Sequence, residues 1–107
     1  VLDPLAQRWN QNGKNVDAVI CSSDYTAAGA IRAITDRKIK IPELISVVGY
    51  YNSDLSDYFC PRISSIDIDI DNFSNIIVNK ILKLINDVNE PVEKINIPTK
   101  FVAKETT

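Results

Sequence analysis

The sequence predicts an α/β domain built on a parallel sheet. Two short apolar runs rich in branched residues, 16–21 and 45–50, are typical of strands buried on both faces. Between them, residues 24–37 carry apolar side chains at helical spacing. The order strand, helix, strand predicts two parallel neighbours joined by a right-handed crossover. The 107 residues suffice for one domain with its own core.

An amino-terminal helix is predicted before the first strand. Asp3 is a capping residue, Pro4 suits the first helical position, and Gly13 ends the pattern. Trp9 belongs to the apolar stripe of this helix. That position favours a core or subunit contact for the indole over a role as a ligand-stacking ring.

The first strand leads through the polar turn 22–24 into the central helix. Asp24 is a candidate N-cap, because its carboxylate can accept hydrogen bonds from the first free backbone N–H groups. Ala27, Ile31 and Ile34 fall on the helix face turned to the sheet. Ligands of open α/β sheets bind at the carboxyl ends of the strands, so Asp24 is also a candidate ligand. The sequence leaves both roles open.

The polar residues 51–57 follow the second strand and are predicted to form a loop on the same edge as the turn 22–24. Asn52 in this loop either initiates a turn or binds a ligand. Tyr50 ends an apolar strand and is predicted to lie in the core. Residues 61–66 predict a short third strand.

Aspartates alternate with isoleucines over residues 66–71, which predicts an extended segment with one acidic face. The same spacing opens a calcium loop, but Asn72 stands at the glycine position and Val78 at the glutamate position, so no metal site is expected. An amphipathic helix is predicted over residues 71–86, and its apolar stripe requires a partner surface. A broken extended segment over residues 94–103 follows it.

Composition limits the classes of function. The net charge of −2 and the pI near 5.0, with scattered lysines and arginines, argue against a nucleic-acid surface on this chain. No apolar run is long enough to span a membrane, and no signal peptide is expected. The absence of histidine, of a glycine-rich phosphate loop and of a metal cluster argues against an enzyme and against a cofactor.

The sulfur-containing residues point to the setting of the chain. It has no methionine, so we expect Val1 to follow further residues in a longer protein. Two cysteines, Cys21 and Cys60, do not make a disulfide framework and favour a reduced, cytoplasmic setting. Cys21 ends the first strand and is predicted to be a small core residue.

Three motifs resemble those of one protein family. Residues 16–30 resemble its strand followed by Asn-Asp and x-x-Ala-x-Gly-Ala. Residues 41–50 are similar to its Pro-x-Asp-Ile-Ser-Val-Val-Gly-Tyr, and residues 61–66 resemble its Pro-Pro-Leu-Thr-Thr-Ile. With these motifs in the same order and spacing, the chain, from about residue 5 to residue 106, is identified as a member of the LacI/GalR transcriptional regulators.

The resemblance implies a truncated type I periplasmic-binding-protein-like fold, with this chain forming a three-layer α/β subdomain around a parallel sheet. Residues 1–66 and 94–107 would belong to the carboxyl-terminal subdomain. Residues 67–88 would form a hinge crossing and a helix that packs on the missing amino-terminal subdomain. The implied protein is a cytoplasmic homodimer without membrane contact, which senses a sugar-like effector between two subdomains. It would reach DNA only through a helix-turn-helix domain absent from this chain.

The resemblance also implies site residues. The effector-binding positions fall on Ser23, Asp24, Tyr51 and Asn52. The family's Asn-Asp is Ser23-Asp24 here, and its paired acids are Tyr51-Asn52. A tyrosine can stack on a ring but offers no bidentate carboxylate, which weakens the case for a simple hexose. The dimer contact would use one helix face and the loop before the third strand, with Tyr25, Ala28, Arg32 and Phe59.

Two further expectations follow from the resemblance. Half of the crevice would be missing, so this chain alone should bind effector weakly or not at all. A periplasmic or lipoprotein sugar-binding protein for transport would share the fold, and it is the alternative to a regulator.

Overall fold

Four strands form one open sheet in the computed structural model, which describes residues 16–107. Their order in the sheet follows their order in the chain. The first three strands are parallel, and the fourth is antiparallel to the third. The parallel pair expected from the sequence is confirmed, with Val19 opposite Val47. The strands are β1 (Ala18–Ile20), β2 (Ser46–Tyr50), β3 (Ser64–Asp67) and β4 (Lys100–Val102).

The described helices are α1 (Asp24–Asp36), α2 (Asp54–Tyr58) and α3 (Ile70–Asn86). α1 connects β1 to β2 as predicted, and α3 begins one residue before its predicted start. The prediction of a loop over residues 51–57 is wrong in its second half, where α2 forms. The acidic residues of its first turn, Asp54 and Asp57, suit the positive end of a helix. The amino-terminal helix expected before β1, with Trp9, lies outside the described residues.

The core lies between α1 and the sheet. The helix face that was predicted to turn toward the sheet is buried, and Cys21 is part of the same cluster, as predicted. Val47 and Ile63 have no exposed surface. Full burial of a branched side chain stabilises the fold by about 1.5–3 kcal/mol. The buried residues of this cluster are Cys21, Ala27, Ala30, Ile31, Ile34, Ile45, Val47 and Ile63.

The first strand differs from its prediction, because it is not buried on both faces. β1 lies at the edge of the described sheet. Val19 is half-buried and packs against the core, whereas Ile20 is 73% exposed. An edge strand covered on one face buries only alternate side chains, since successive residues point to opposite faces.

The acidic segment is extended only as far as Asp67, where β3 ends. The prediction of an extended backbone up to residue 70 is wrong, because Asp69 has a left-handed φ of 51° and begins the turn into α3. Its carboxylate caps the helix by accepting a hydrogen bond from the backbone N–H of Asn72 at 3.4 Å. The final extended segment is regular only in β4, which pairs with β3.

Helix α3 has no buried residue in the described structure. Its apolar stripe is exposed, with Phe73 at 37% and Ile81 at 50%. Lys80 connects the helix to the segment that follows it, because its Nζ donates to Glu90 Oε1 at 3.2 Å and to Glu93 Oε1 at 3.3 Å. Within residues 16–107, the apolar stripe of α3 is therefore covered only in part.

Candidate functional site

The carboxyl ends of β1, β2 and β3 meet at one edge of the sheet, because these strands are parallel. We call this edge, made of residues 21–24, 51–53 and 67–69, the rim. Tyr51 and Asn52 on the rim have left-handed φ values of 88° and 49°. For residues other than glycine this conformation costs about 1–3 kcal/mol, so neighbouring groups must hold it.

Asp24 lies in the interior of the rim and does not cap α1. The N-cap is Ser23, whose Oγ accepts a hydrogen bond from the backbone N–H of Thr26 at 3.1 Å. Asp24 is the first residue of the helix and is only 1% exposed. Its Oδ2 accepts from the backbone N–H and the hydroxyl of Ser53, both at 2.7 Å, and its Oδ1 accepts from Ser65 Oγ at 2.6 Å. The carboxylate thus joins α1 to the segment after β2 and to β3.

Gly49 and Ser65 allow Asp24 and Asn52 to lie together. A Cβ at Gly49 would be 2.1 Å from Asp24 Oδ1, so only glycine lets the carboxylate approach β2 this closely. Ser65 Oγ, which donates to Asp24, accepts from the backbone N–H of Asn52 at 3.0 Å. The two residues therefore meet on one rim, as the parallel strand pair predicted.

A buried lysine near the end of the chain holds the side chain of Asn52. Lys104, whose side chain is 8% exposed, donates from Nζ to Asn52 Oδ1 at 2.9 Å, to Ser56 Oγ at 2.6 Å and to Asp57 Oδ1 at 2.8 Å. An ammonium group is a donor only, so Lys104 determines that the amide oxygen of Asn52 faces it. The amide nitrogen then donates to Asp67 Oδ2 at 3.1 Å.

Tyr51 lines a cavity of about 310 Å³ beside the rim. Its ring is half exposed and packs edge-on against Tyr50, with the ring centroids 5.1 Å apart. Tyr50, which was predicted to be a core residue, is half-buried and lines the same cavity. Aromatic and aliphatic walls suit the apolar face of a ring-shaped ligand. The remaining lining residues are Ile68, Phe73, Ile95, Ile97 and Thr99.

A second cavity, of about 350 Å³, shares Thr99 with the first and has a charged lining. Asp67 Oδ1 accepts a hydrogen bond from the backbone N–H of Asp69 at 2.8 Å. This bond, the bond from Asn52 and the charges of two nearby lysines hold the pKa of Asp67 below its usual 3.8. Asp67 is therefore ionised at neutral pH and can accept hydrogen bonds from hydroxyl groups. The lining residues are Asp67, Asp69, Pro98, Thr99 and Lys100.

The four rim residues named from the sequence have different surroundings. Asp24 and Asn52 are held in the internal hydrogen-bond network. Ser23 caps α1, and its Oγ lies 3.0 Å from Thr26 Oγ1. Of the four, Tyr51 lines one of the two cavities.

Sequence reasoning missed several members of this network, among them Ser65, Asp67 and Lys104. The acidic alternation carried a signal for Asp67, because it is the first aspartate of the alternation and follows directly on the predicted third strand. No local pattern indicated Lys104, whose partners lie about fifty residues away in the chain.

The residues expected at a dimer contact are partly available on the surface. Tyr25 is 75% exposed. Arg32 is exposed and forms an ion pair with Asp36, with Nε 3.0 Å from Oδ1. Ala28 and Phe59 are half-buried and pack against the core.

Metal and thiol chemistry find little support within residues 16–107. No group of three or more histidine, cysteine, aspartate or glutamate side chains is placed there to hold a metal ion. Cys21 and Cys60 are free thiols, and burial raises the pKa of the Cys21 thiol, which makes it a poor nucleophile. In the same part of the chain, no helix combines the length and the apolarity needed to cross a membrane.

The sequence of this chain is similar to those of a known protein family. The model of the periplasmic binding protein-like domain matches residues 3–107. The probable HTH-type transcriptional repressor ExuR of Bacillus subtilis is 34% identical over 89 residues. The alignment covers 83% of this chain, and the chain spans 27% of the length of that relative.

Two solved structures share the fold at similar identity. The lac repressor dimer bound to operator and the anti-inducer ONPF is 26% identical, with a TM-score of 0.79 over 96% of this chain and 36% of that chain. A periplasmic binding protein/LacI transcriptional regulator from Alkaliphilus metalliredigens, complexed with D-xylulofuranose, is 26% identical, with a TM-score of 0.76 over 85% of this chain and 34% of that chain. The chain is similar to a part of LacI-type transcriptional regulators. Its match to the family model over residues 3–107 shows that it belongs to the periplasmic binding protein-like domain family.

Proposed function

We propose that this chain is the carboxyl-terminal part of the effector-sensing domain of a cytoplasmic LacI-type regulator, and that its rim binds one side of a small sugar-like effector. The observation that carries the proposal is the aromatic cavity at Tyr51, which adjoins a cavity with a charged lining at the same rim. A sugar offers the matching surfaces, since its C–H face packs on aromatic rings and its hydroxyls donate to carboxylates. A structural neighbour at 26% identity is complexed with D-xylulofuranose, which supports this class of ligand.

The proposed mechanism is differential binding and involves no chemical step on the effector. An effector that contacts this rim and a second subdomain binds the closed arrangement more tightly than the open one. Residues 67–88 would form a hinge crossing and a helix that packs on that second subdomain. A coupling free energy of about 1–3 kcal/mol between two binding sites is typical of allosteric proteins. DNA would be bound by a separate helix-turn-helix domain.

The proposal includes a homodimer whose contact uses the outer face of α1. Tyr25 and Arg32 on that face are exposed and available for a partner. The neighbouring lac repressor structure is described as a dimer, which supports this arrangement.

A binding experiment on the full natural protein tests the effector site. Isothermal titration calorimetry with D-xylulose, D-ribose, D-glucose and cellobiose should give saturable binding of at least one sugar. Tyr51→Ala should weaken that binding about tenfold, because it removes the ring that lines the cavity. Tyr58→Ala is the matched control, since Tyr58 is 85% exposed and lines neither cavity, and it should leave the affinity within about twofold.

Two outcomes would contradict the proposal. The first is that none of the four sugars binds the natural protein. The second is that Tyr51→Ala and Tyr58→Ala have equal effects. The coding sequence upstream of Val1 tests the regulatory role separately, because a helix-turn-helix supports a regulator and a signal peptide supports a transport protein.

A further inference from the structure

We infer that Asp67 is an effector-binding side chain of this rim, and that Lys104 and Asn52 are positioning residues that aim its carboxylate. The inference deepens the proposed function and rests on it. It names the hydroxyl groups of the effector as the atoms recognised by Asp67. It also changes the role of Asn52 from a ligand contact to a link between a buried cation and that carboxylate.

The first step is that Lys104 fixes the orientation of the Asn52 amide. Lys104 Nζ has three acceptors within 2.9 Å, and one of them is Asn52 Oδ1. The lysine cannot accept a hydrogen bond, so the amide cannot rotate by half a turn without losing this contact. The nitrogen of the amide is therefore fixed on the side of Asp67.

The second step is the hydrogen bonding of Asp67. Its Oδ2 accepts from Asn52 and its Oδ1 accepts from the backbone N–H of Asp69, so both oxygens have one fixed donor. An ionised carboxylate offers about four acceptor positions, so each oxygen keeps capacity for a hydroxyl donor. Asp67 is half-buried and lines the charged cavity, so that capacity is accessible to a ligand.

The third step is the position of this carboxylate beside the aromatic cavity. The two cavities share Thr99 and therefore adjoin each other at this rim. Directly after β2, Tyr51 and Asn52 offer no carboxylate. Asp67, at the end of the adjacent strand β3, supplies a carboxylate at the same rim.

The test uses the full natural protein and the same four sugars, D-xylulose, D-ribose, D-glucose and cellobiose. Asp67→Asn should weaken the binding of any sugar that binds by at least about tenfold, because a charge-assisted hydrogen bond becomes a neutral one. Asp71→Asn removes the same charge from the same acidic run, at an exposed position that lines neither cavity, and should change the affinity less than about twofold.

A double-mutant cycle tests the positioning role. Asn52→Ala should weaken binding in the natural protein and should cause no further loss when Asp67 is already replaced by asparagine. A purely structural role for Asn52 would give additive losses, and that result would overturn the positioning role.

A measurement without ligand also tests whether Lys104 and Asn52 act on the carboxylate of Asp67. An NMR titration of the Asp67 carboxyl in this chain should give a pKa below 3.8. That pKa should rise in Asn52→Ala and in Lys104→Met. Asp69, Lys100 and Lys104 are the other charged groups at this carboxyl, and Lys100 is unchanged in both variants. A pKa of 3.8 for Asp67 in the unsubstituted chain would overturn the positioning role of Lys104 and Asn52.

The outcomes separate the inference from the proposed function. If a sugar binds and Asp67→Asn binds it as tightly as Asp71→Asn does, the inference fails and the proposed function stands. If none of the four sugars binds the natural protein, the proposed function fails, and the role of Asp67 as a sugar ligand fails with it.

Discussion

The sheet region, formed by β1 to β4 with α1 and α2, and the helix α3 differ in what covers their apolar side chains. In the sheet region, Val47 and Ile63 have no exposed surface, and the buried polar groups of the rim bind one another. In α3 no residue is buried, and Ile81 and Ile85 are 50% and 72% exposed.

The difference teaches that an amphipathic pattern specifies a helix without specifying its partner. The sheet region contains both halves of each contact, since α1 packs on strands that lie next to it in the chain. Within residues 16–107, the apolar stripe of α3 is covered only in part. Stability of this chain should therefore depend on the sheet region and respond weakly to changes in α3.

The largest expected effect is at Ile63. Ile63→Ala removes a side chain with no exposed surface and should lower the free energy of unfolding by about 3–4 kcal/mol, through lost burial and the cavity that remains. Ile81→Ala, at a half-exposed position of α3, should lower it by less than about 1 kcal/mol. Urea unfolding followed by circular dichroism measures both. Equal losses would contradict the prediction that stability depends mainly on the sheet region.

Two glycines provide the next contrast, which concerns the rim. Gly49→Ala should destabilise the chain by about 2–4 kcal/mol, because the new methyl group would displace the buried carboxylate of Asp24 from its hydroxyl donors. Gly29→Ala, within α1, meets no atom within 4 Å and should stabilise the chain by about 0.5–1 kcal/mol. Thermal unfolding of the two variants checks the opposite signs. A stable Gly49→Ala variant would show that the Asp24 network can rearrange.

The comparison of the sheet region with α3 also explains which elements of the fold could be predicted from the sequence. The strands, α1 and α3 were predictable because their signal is local, namely hydrophobic periodicity with polar residues at the ends. The parallel pair β1–β2 followed from a single crossover helix. The prediction that β1 is buried on both faces was wrong, because hydrophobic periodicity does not distinguish an edge strand from a central one.

The rim was predictable only in part. The approach of Asp24 to Asn52 followed from the parallel strands, but Asp24 caps no helix because its carboxylate is drawn to Ser53 and Ser65. The contact of Lys104 with residue 52 depends on the antiparallel pairing of β4 with β3, which brings distant parts of the chain together. No rule based on neighbouring residues contains that information.

A smaller change in stability is expected when Lys80 of α3 loses its ion pairs with Glu90 and Glu93. Burial lowers the pKa of Lys80, but the hydrogen bonds and charges of Glu90 and Glu93 outweigh it, so the folded pKa lies above 10.5. A raised folded pKa stabilises the fold at every pH below 10.5, and this stabilisation is lost as the pH rises through the folded value. Lys80→Met should therefore lower the unfolding midpoint slightly at pH 8, and its difference from the unsubstituted chain should shrink above pH 10.5.

Urea unfolding, which adds no salt, measures this difference at a series of pH values. Lys83→Met, which removes a lysine three residues further along the same helix, is the control for loss of charge. A difference for Lys80→Met that stays constant across the series would contradict the assignment of the raised pKa to Glu90 and Glu93.

The smallest expected effect on folding is at Arg32, which makes it a clean probe of the proposed dimer contact. Its ion pair with Asp36 is 80% and 59% exposed, so Arg32→Ala should lower the free energy of unfolding by only about 0.3–0.5 kcal/mol. A larger loss in dimer affinity, measured by sedimentation of the full natural protein, would then come from the interface. Lys40→Ala, an exposed lysine outside α1, controls for the change in net charge. Equal dimer affinities in the two variants would exclude Arg32 from the contact and leave Tyr25 as the residue of that face to be tested.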